Sequence, residues 1–80
     1  MTSLKEVLKL AKQAIKDKNY ATALYNAEMA IERFDAKNYH AFVFAGVANF
    51  HLEKFSESER AYREAILIEP TQALAWTVFS

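Results

Sequence analysis

Residues 42–65 read FVFAGVANFHLEKFSESERAYREA, and this stretch decides the fold. It opens with an almost continuous apolar segment that contains the chain's single glycine, Gly46. The polar pair Glu53-Lys54 interrupts that segment, after which apolar residues return at positions 55, 61, 62 and 65, the spacing of one helix face. Because the interruption leaves room only for a tight turn, the stretch predicts two antiparallel helices packed as a hairpin.

Further helices are predicted on both sides of this hairpin. Ser3 and Glu6 have the spacing of a capping box at the start of a first helix, and Asp17-Lys18-Asn19 interrupts its apolar stripe. Ser56 and Glu59 predict a second capping box. The first predicted helix opens at Ser3. The second runs from about Tyr20 to Arg33 and the third from Tyr39 to Leu52. The fourth runs from near Phe55 until Pro70 stops it, and the fifth starts after Thr71 and is cut off at Ser80.

The predicted hairpins form a repeat. Lys18-Asn19-Tyr20 matches Glu53-Lys54-Phe55 after 35 residues. Ala30 matches Ala65 at the same offset, and Phe42 matches Trp76 after 34 residues. A fixed period of this length is typical of helical hairpins stacked into a solenoid. An unrelated four-helix bundle, the alternative, would not need a common register.

The spacing resembles that of the tetratricopeptide repeat (TPR) family, whose pattern over about 34 residues is W-x₂-L-G-x₂-Y…A-x₃-F…P. The second repeat reads Phe42-x₂-Ala45-Gly46-x₂-Asn49…Ser58-x₃-Tyr62…Pro70, so Asn49 replaces the usual aromatic residue. The predicted fold is all-α: a TPR solenoid of two repeats, about residues 3–37 and 38–71, with the first helix of a third at about 72–80. The residues expected to hold it together are Ala11, Tyr20, Ala30, Phe42, Gly46, Phe55, Tyr62, Ala65, Pro70 and Trp76.

A narrower resemblance rests on three stretches. Residues 14–20 (AIKDKNY, after a lysine-rich opening helix), 38–48 (NYHAFVFAGVA) and 61–76 (AY through EPTQALAW) are similar to the N-terminus of the TPR scaffold subunits of the Ski (superkiller) complex. The resemblance implies a long scaffold that organises a DExH RNA helicase and WD40 subunits and couples them to exosome-side factors for 3′–5′ mRNA decay. It implies a cytoplasmic location and leaves a nuclear pool open. A generic TPR adaptor for another complex is the alternative.

The first helix of each TPR hairpin is expected to line the concave wall of the array. The residues predicted to bind a peptide there are Leu8, Lys12, Ile15, His40, Val43, Val47 and Phe50. They would form an apolar groove with a basic rim that holds an extended or helical peptide. The alternative is that these side chains pack internally or against further repeats.

Four lysines form a stripe along the first predicted helix. Lys5, Lys9, Lys12 and Lys16 fall within about 60° of one another on a helical wheel. We define them as the lysine stripe, which could contact RNA phosphates or an acidic partner. Lysine without arginine or interleaved aromatic residues is a weak nucleic-acid signature, so a solvated face is the favoured interpretation.

The composition excludes several kinds of chemistry. The chain has no cysteine, its formal net charge is zero, and no apolar run approaches the length of a membrane span. His40 and His51 are separated by about 16 Å of helix rise, which is too far for them to share a metal ion. We interpret His51 as a solvated or capping residue, and Glu57, Glu59 and Glu64 as surface charge. The sequence therefore predicts no enzyme activity, no cofactor and no membrane contact.

The end of the chain suggests self-association. Trp76 and Phe79 belong to the unfinished fifth helix, where nothing in the sequence would cover them. Solenoids normally need about three repeats and a polar terminal cap. We therefore expect the chain either to self-associate through this helix or to be only marginally stable.

Overall fold

The computed structural model describes residues 2–71, which form four α-helices and contain no strand. α1 spans Leu4–Lys16, α2 spans Tyr20–Met29, α3 spans Tyr39–His51 and α4 spans Phe55–Ile68. A π-helical turn, Ala30–Phe34, continues α2. The short connections make consecutive helices antiparallel neighbours, so the predicted all-α hairpin fold is confirmed. The predicted helix at about 72–80 lies outside the described residues.

Side-chain caps begin three of the four α-helices. Ser3 Oγ accepts a hydrogen bond from Glu6 N at 3.2 Å, which confirms the predicted N-cap of α1. Asn19 and Asn38 cap α2 and α3, since the Oδ1 atom of each accepts from the backbone N–H three residues later. A cap of this kind stabilises a helix by about 1 kcal/mol.

The predicted capping box at Ser56 is wrong. α4 begins after Lys54, whose side chain carries no acceptor, so Ser56 already lies inside the first helical turn and is exposed. The helix starts at Phe55, as predicted, and therefore two residues before the start that a cap at Ser56 would require. The serine that contributes to packing is Ser58, which is buried and donates from Oγ to Gly46 O at 2.8 Å.

The ends of α1 and α3 share one hydrogen-bonded geometry. Lys18 and Glu53 adopt left-handed φ values of 60° and 63°. At each position the residue's own N–H donates to the carbonyl three residues back, and the next N–H donates to the carbonyl five residues back. This is the Schellman motif, formed here twice without glycine. Its recurrence after 35 residues shows in the structure the repeat that the sequence predicts.

The π-helical turn takes up one extra residue in the first repeat. Ala30 and its match Ala65 are 35 residues apart, whereas Phe42 and its match Trp76 are 34 apart. The first repeat therefore has one more residue than the second between Ala30 and Phe42, just before or at the start of α3. Asp35 N donates to Ala30 O, five residues back, at 2.8 Å. A turn closed by this bond holds one residue more than an α-helical turn. The helix consequently ends one residue later than predicted.

The core is built mostly from alanine. Among the described residues, ten of the thirteen buried apolar side chains are alanines, and Val7 is the largest side chain that is fully buried. α3 is central, because it packs against α1, α2 and α4. Within residues 2–71, α2 and α4 do not approach each other to 8 Å between Cα atoms. Small side chains allow close helix contact, but each buries little apolar surface.

Three residues on the apolar stripes of their helices, which helical periodicity predicts to face inward, are exposed: Phe34, Tyr62 and Ile66, at 42%, 37% and 46%. Tyr62 and Ile66 match Ala27 and Ile31 of the first repeat, which pack with residues of α3. The helix that would cover them in the same way belongs to the predicted third repeat. That helix, with Trp76, Phe79 and the predicted self-association, lies outside the described residues.

Candidate functional site

An open groove of about 520 Å³ lies between α2 and α4. Because these two helices stay apart, one face of α3 forms the floor. The apolar part of the lining includes Leu24 and Ala61 on the walls and Phe42 and Ala45 on the floor. The lining residues are Leu24, Glu28, Ile31, Phe42, Ala45, Asn49, Lys54, Glu57, Arg60, Ala61 and Glu64.

The charges on the rims of the groove are unevenly placed. Since α3 is antiparallel to both neighbours, its first turns lie beside the later turns of α2 and α4. Glu28 and Glu64 lie at that end, which we define as the acidic end. The salt bridge found within residues 2–71 joins Arg63 to Glu59, so neither glutamate of the acidic end has a basic side chain within 4 Å in that part of the chain.

Asn49 is the polar residue of the groove floor. The residue is 6% exposed, and no residue in the described part of the chain hydrogen-bonds to its side-chain amide. The other buried asparagine, Asn26, is satisfied, because its Nδ2 donates to Thr22 O at 2.9 Å. Among the described residues, Tyr39 Oη is the fully buried side-chain polar atom without a hydrogen-bond partner, so the Asn49 amide atoms keep some access to the groove. The Asn49 amide therefore presents an unused donor and acceptor to whatever enters the groove.

The seven residues predicted to bind a peptide lie on α1 and α3, and none lines this groove. Val43 is buried at 5% exposure and packs with Tyr39 and Ala65. The others divide into the partly buried Leu8, Ile15 and Val47 and the exposed Lys12, His40 and Phe50. Their role in peptide binding stays a prediction.

An aromatic cluster lies where α3 ends and α4 begins. The His51 ring stacks on Tyr20 with centroids 4.2 Å apart and planes 7° from parallel. Phe50 meets both His51 and Phe55 edge-on at 5.6 Å. His51, interpreted from the sequence as solvated or capping, is therefore also a contact between the two hairpins.

The lysine stripe is exposed along its whole length. It lies on the face of α1 that turns away from the buried residues Val7, Ala11 and Ala14. No carboxylate of residues 2–71 lies within salt-bridge distance of these four lysines. The arrangement is that of a solvated basic face.

The histidines are placed in aromatic contacts. His40 packs near Tyr39 and Phe44, while His51 lies at the opposite end of α3. Within residues 2–71, no group of three or more His, Cys, Asp or Glu side chains is arranged to hold a metal ion. Over the same residues, no helix combines the length and the apolar composition needed to cross a membrane.

Sequence reasoning missed the groove for two reasons. Its walls belong to different hairpins, so their separation depends on how the hairpins stack. The rim residues Glu57 and Glu64 also have the ordinary appearance of surface charge. One sequence signal was available: Asn49 occupies a position where the TPR pattern has an aromatic residue.

Several curated proteins are similar to almost the whole chain. Superkiller protein 3 of Schizosaccharomyces pombe is 47% identical over 72 residues, which cover 90% of this chain. Tetratricopeptide repeat protein 37 of Xenopus laevis is 41% identical, and Superkiller complex protein 3 of Homo sapiens is 40% identical, each over 73 residues and 91% of the chain. The chain spans about 5% of the length of each of these relatives. No protein-family model matches it, and no solved structure does.

The structure and the relatives lead to the same family. Two antiparallel hairpins with identical turns 35 residues apart are the architecture of a TPR array. Stacked repeats of this kind create extended surfaces that other proteins can bind. The chain is a TPR-family segment that resembles part of the superkiller 3 proteins.

Proposed function

We propose that this chain is part of a TPR scaffold of the Ski type, which assists exosome-mediated 3′–5′ decay of mRNA in the cytoplasm. The observation that carries the proposal is the 40–47% identity to proteins named superkiller 3 over about nine-tenths of the chain. In this role the segment binds proteins and performs no catalysis. Its proposed partners are a DExH RNA helicase, WD40 subunits and exosome-side factors.

The physical basis of such a role is the stacking of rigid hairpins. The described residues form an elongated body of 36 × 23 × 20 Å in which α3 joins both hairpins. Further hairpins added in the same way extend the body in one direction and enlarge its surface without altering the existing packing. A scaffold of this kind holds several partners at fixed separations.

The test is affinity purification of the full-length protein that contains this segment, followed by mass spectrometry. Co-purification of a DExH helicase and WD40 proteins is the expected result. Removal of residues 2–71 is expected to reduce the recovery of exosome-side factors while the helicase is retained. Recovery of unrelated partners alone would refute the Ski assignment and leave a generic TPR adaptor.

We place the peptide-binding site of this function on the concave wall predicted from α1 and α3. Lys12, His40 and Phe50 are the members of that set whose side chains are exposed. Lys12→Glu and Phe50→Ala are each expected to weaken recovery of a partner bound there. Lys9→Glu makes the same change of charge on the same helix outside the set, so an equal effect of Lys9→Glu and Lys12→Glu would contradict the assignment.

A second candidate function is direct RNA contact through the lysine stripe. It is favoured by the exposure of all four lysines and by the lack of nearby carboxylates within residues 2–71. Simultaneous replacement of Lys5, Lys9, Lys12 and Lys16 by Glu is expected to lower RNA affinity and its dependence on salt. Unchanged RNA affinity would remove this function.

A further inference from the structure

We propose that the groove between α2 and α4 binds an extended segment of a partner protein, in which a lysine or arginine follows or precedes a large apolar residue. This inference rests on the proposed protein-binding role and assigns a second surface, separate from the concave wall. Three features of the groove specify the occupant: the amide of Asn49, the apolar floor and the acidic end.

Asn49 specifies the backbone conformation of the occupant. Asn49 as a whole residue is 6% exposed, its amide has no hydrogen-bond partner among residues 2–71, and it lines the groove, from which the amide atoms remain accessible. An asparagine side chain both donates and accepts, so it can pair with one N–H and one C=O of a peptide backbone. In a helix those groups are already bonded to one another. The occupant that satisfies Asn49 through its backbone is therefore extended.

The floor and the acidic end specify the side chains of the occupant. Leu24, Phe42 and Ala61 give the groove apolar surface, which suits one large apolar side chain. Glu28 and Glu64 lie on opposite walls, and neither has a salt-bridge partner within 4 Å among the described residues, although Arg60 lines the α4 wall one helical turn before Glu64. A lysine or arginine placed between two carboxylates donates charge-assisted hydrogen bonds to both walls.

The position of the groove keeps it open in a longer array. Both of its walls and its floor belong to the two hairpins that the structure describes. A further hairpin stacked in register would cover Tyr62 and Ile66, which are not among the residues that line the groove. The exposed aromatic residue Phe55 would be covered in the same way, since its match Tyr20 packs with residues of α3.

The test uses the full 80-residue chain and a displayed library of random peptides of about twelve residues. Enriched peptides are synthesised, and their affinity is measured by fluorescence anisotropy. We expect them to combine a large apolar residue with a nearby lysine or arginine. On binding, the side-chain amide resonances of Asn49 are expected to shift in the nuclear magnetic resonance spectrum of ¹⁵N-labelled chain.

Two variants and one control make the test specific. Asn49→Tyr restores the aromatic residue of the TPR pattern and fills the groove, and Glu28→Lys with Glu64→Lys reverses the acidic end. Each is expected to weaken binding at least about tenfold, equivalent to about 1.4 kcal/mol. Glu32→Lys with Glu69→Lys makes the same change of net charge at exposed positions outside the groove and is expected to change affinity by less than about twofold. Circular dichroism checks that each variant is folded, and the glutamate variant alters exposed side chains only.

The proposal is overturned by several results. Enrichment of acidic peptides, or no enrichment at all, would overturn it. Equal binding by the groove variants and the control would also do so. A concentration-dependent dimer of the wild type that Asn49→Tyr abolishes would make a second copy of the chain the occupant instead. The outcome is separable from that of the proposed function. Loss of helicase and WD40 partners from the full-length protein refutes the Ski role while leaving peptide binding by the groove intact, and failure of the peptide test leaves that co-purification unaffected.

Discussion

The ring of Tyr62 lies directly on the backbone of Gly46, and a Cβ atom placed on Gly46 would come within 2.8 Å of Cδ1 and Cε1 of Tyr62. Glycine is therefore required here by the close approach of a neighbouring side chain. Ser58 reaches the same backbone position, since its Oγ donates to Gly46 O at 2.8 Å. One residue of α3 thus receives both an aromatic ring and a hydrogen bond from α4.

Because of this contact, the effect of Gly46→Ala on stability is expected to depend on the Tyr62 ring. In an open helix this substitution stabilises by about 1 kcal/mol, because glycine is the poorer helix former. Here the added methyl group must displace the Tyr62 ring, and overpacking typically costs about 1–3 kcal/mol. We expect a net destabilisation of about 1 kcal/mol, measured by urea unfolding followed by circular dichroism.

The control for this prediction is the same substitution made in a Tyr62→Ala chain. Without the ring, Gly46→Ala is expected to stabilise by about 1 kcal/mol, so the effect changes sign. Equal effects of Gly46→Ala in both backgrounds would show that the ring does not determine the need for glycine.

Ser58 and Ser56 are expected to differ in their contribution to stability. Ser58→Ala removes a buried hydrogen bond to Gly46 O and should cost about 0.5–1.5 kcal/mol. Ser56→Ala removes an exposed hydroxyl that caps nothing, so its effect should stay within about 0.5 kcal/mol. Thermal or urea unfolding of the two variants decides the matter, and a larger loss from Ser56→Ala would restore the capping box that the structure rejects.

Replacing Lys18 by glycine is expected to stabilise the chain. Lys18 holds a left-handed φ of 60°, a conformation that costs an ordinary residue about 1–2 kcal/mol, whereas glycine adopts it freely. After allowing for the greater backbone entropy that glycine loses on folding, we expect a gain of about 0.5–1 kcal/mol. Its neighbour Asp17 has φ −83°, so Asp17→Gly serves as the control and should not stabilise.

The stacked pair Tyr20 and His51 is expected to show energetic coupling between the hairpins. Stacked aromatic pairs contribute about 0.5–1.5 kcal/mol beyond the area they bury. A double-mutant cycle with Tyr20→Ala and His51→Ala should therefore yield a coupling energy in this range. A cycle that pairs Tyr20→Ala with His40→Ala, at the other end of α3, should yield none.

Tyr62 makes stability sensitive to alkaline pH. Partial burial disfavours the phenolate and raises the pKa of Tyr62 above its usual value of 10.0. The unfolded chain therefore releases this proton at a lower pH than the folded chain does. The stability that the neutral ring confers is complete below about pH 10 and is lost as the pH rises from there through the higher folded pKa.

We expect the free energy of unfolding to fall more steeply above pH 10 in the wild type than in Tyr62→Phe. Urea titrations at a series of pH values measure the two slopes. Tyr25→Phe, at a position that is 63% exposed, is the control and should keep the slope of the wild type. Identical slopes for Tyr62→Phe and the wild type would contradict the prediction.

Local features of the fold could be predicted from the sequence because they depend on neighbours along the chain. The caps at Ser3 and Asn38 follow from short-range hydrogen bonding, and the break at Asp17-Lys18-Asn19 corresponds to a turn that its own backbone bonds close. The prediction failed at Ser56 because the serine and glutamate spacing fits a capping box there, whereas α4 begins two residues earlier after Lys54, without a side-chain cap.

The sequence by itself determined that the chain is all-α, that its hairpins repeat, and that it resembles TPR scaffolds, since helical periodicity and a fixed offset are written in residue order. Only the tertiary structure decided that α2 and α4 stay apart and leave a groove, that the Asn49 amide lies in its floor without a partner, and that Tyr62 packs on Gly46. These relationships join residues on different helices. They arise from the distance and angle at which alanine-rich helix faces pack, which the spacing of residues along the chain does not specify.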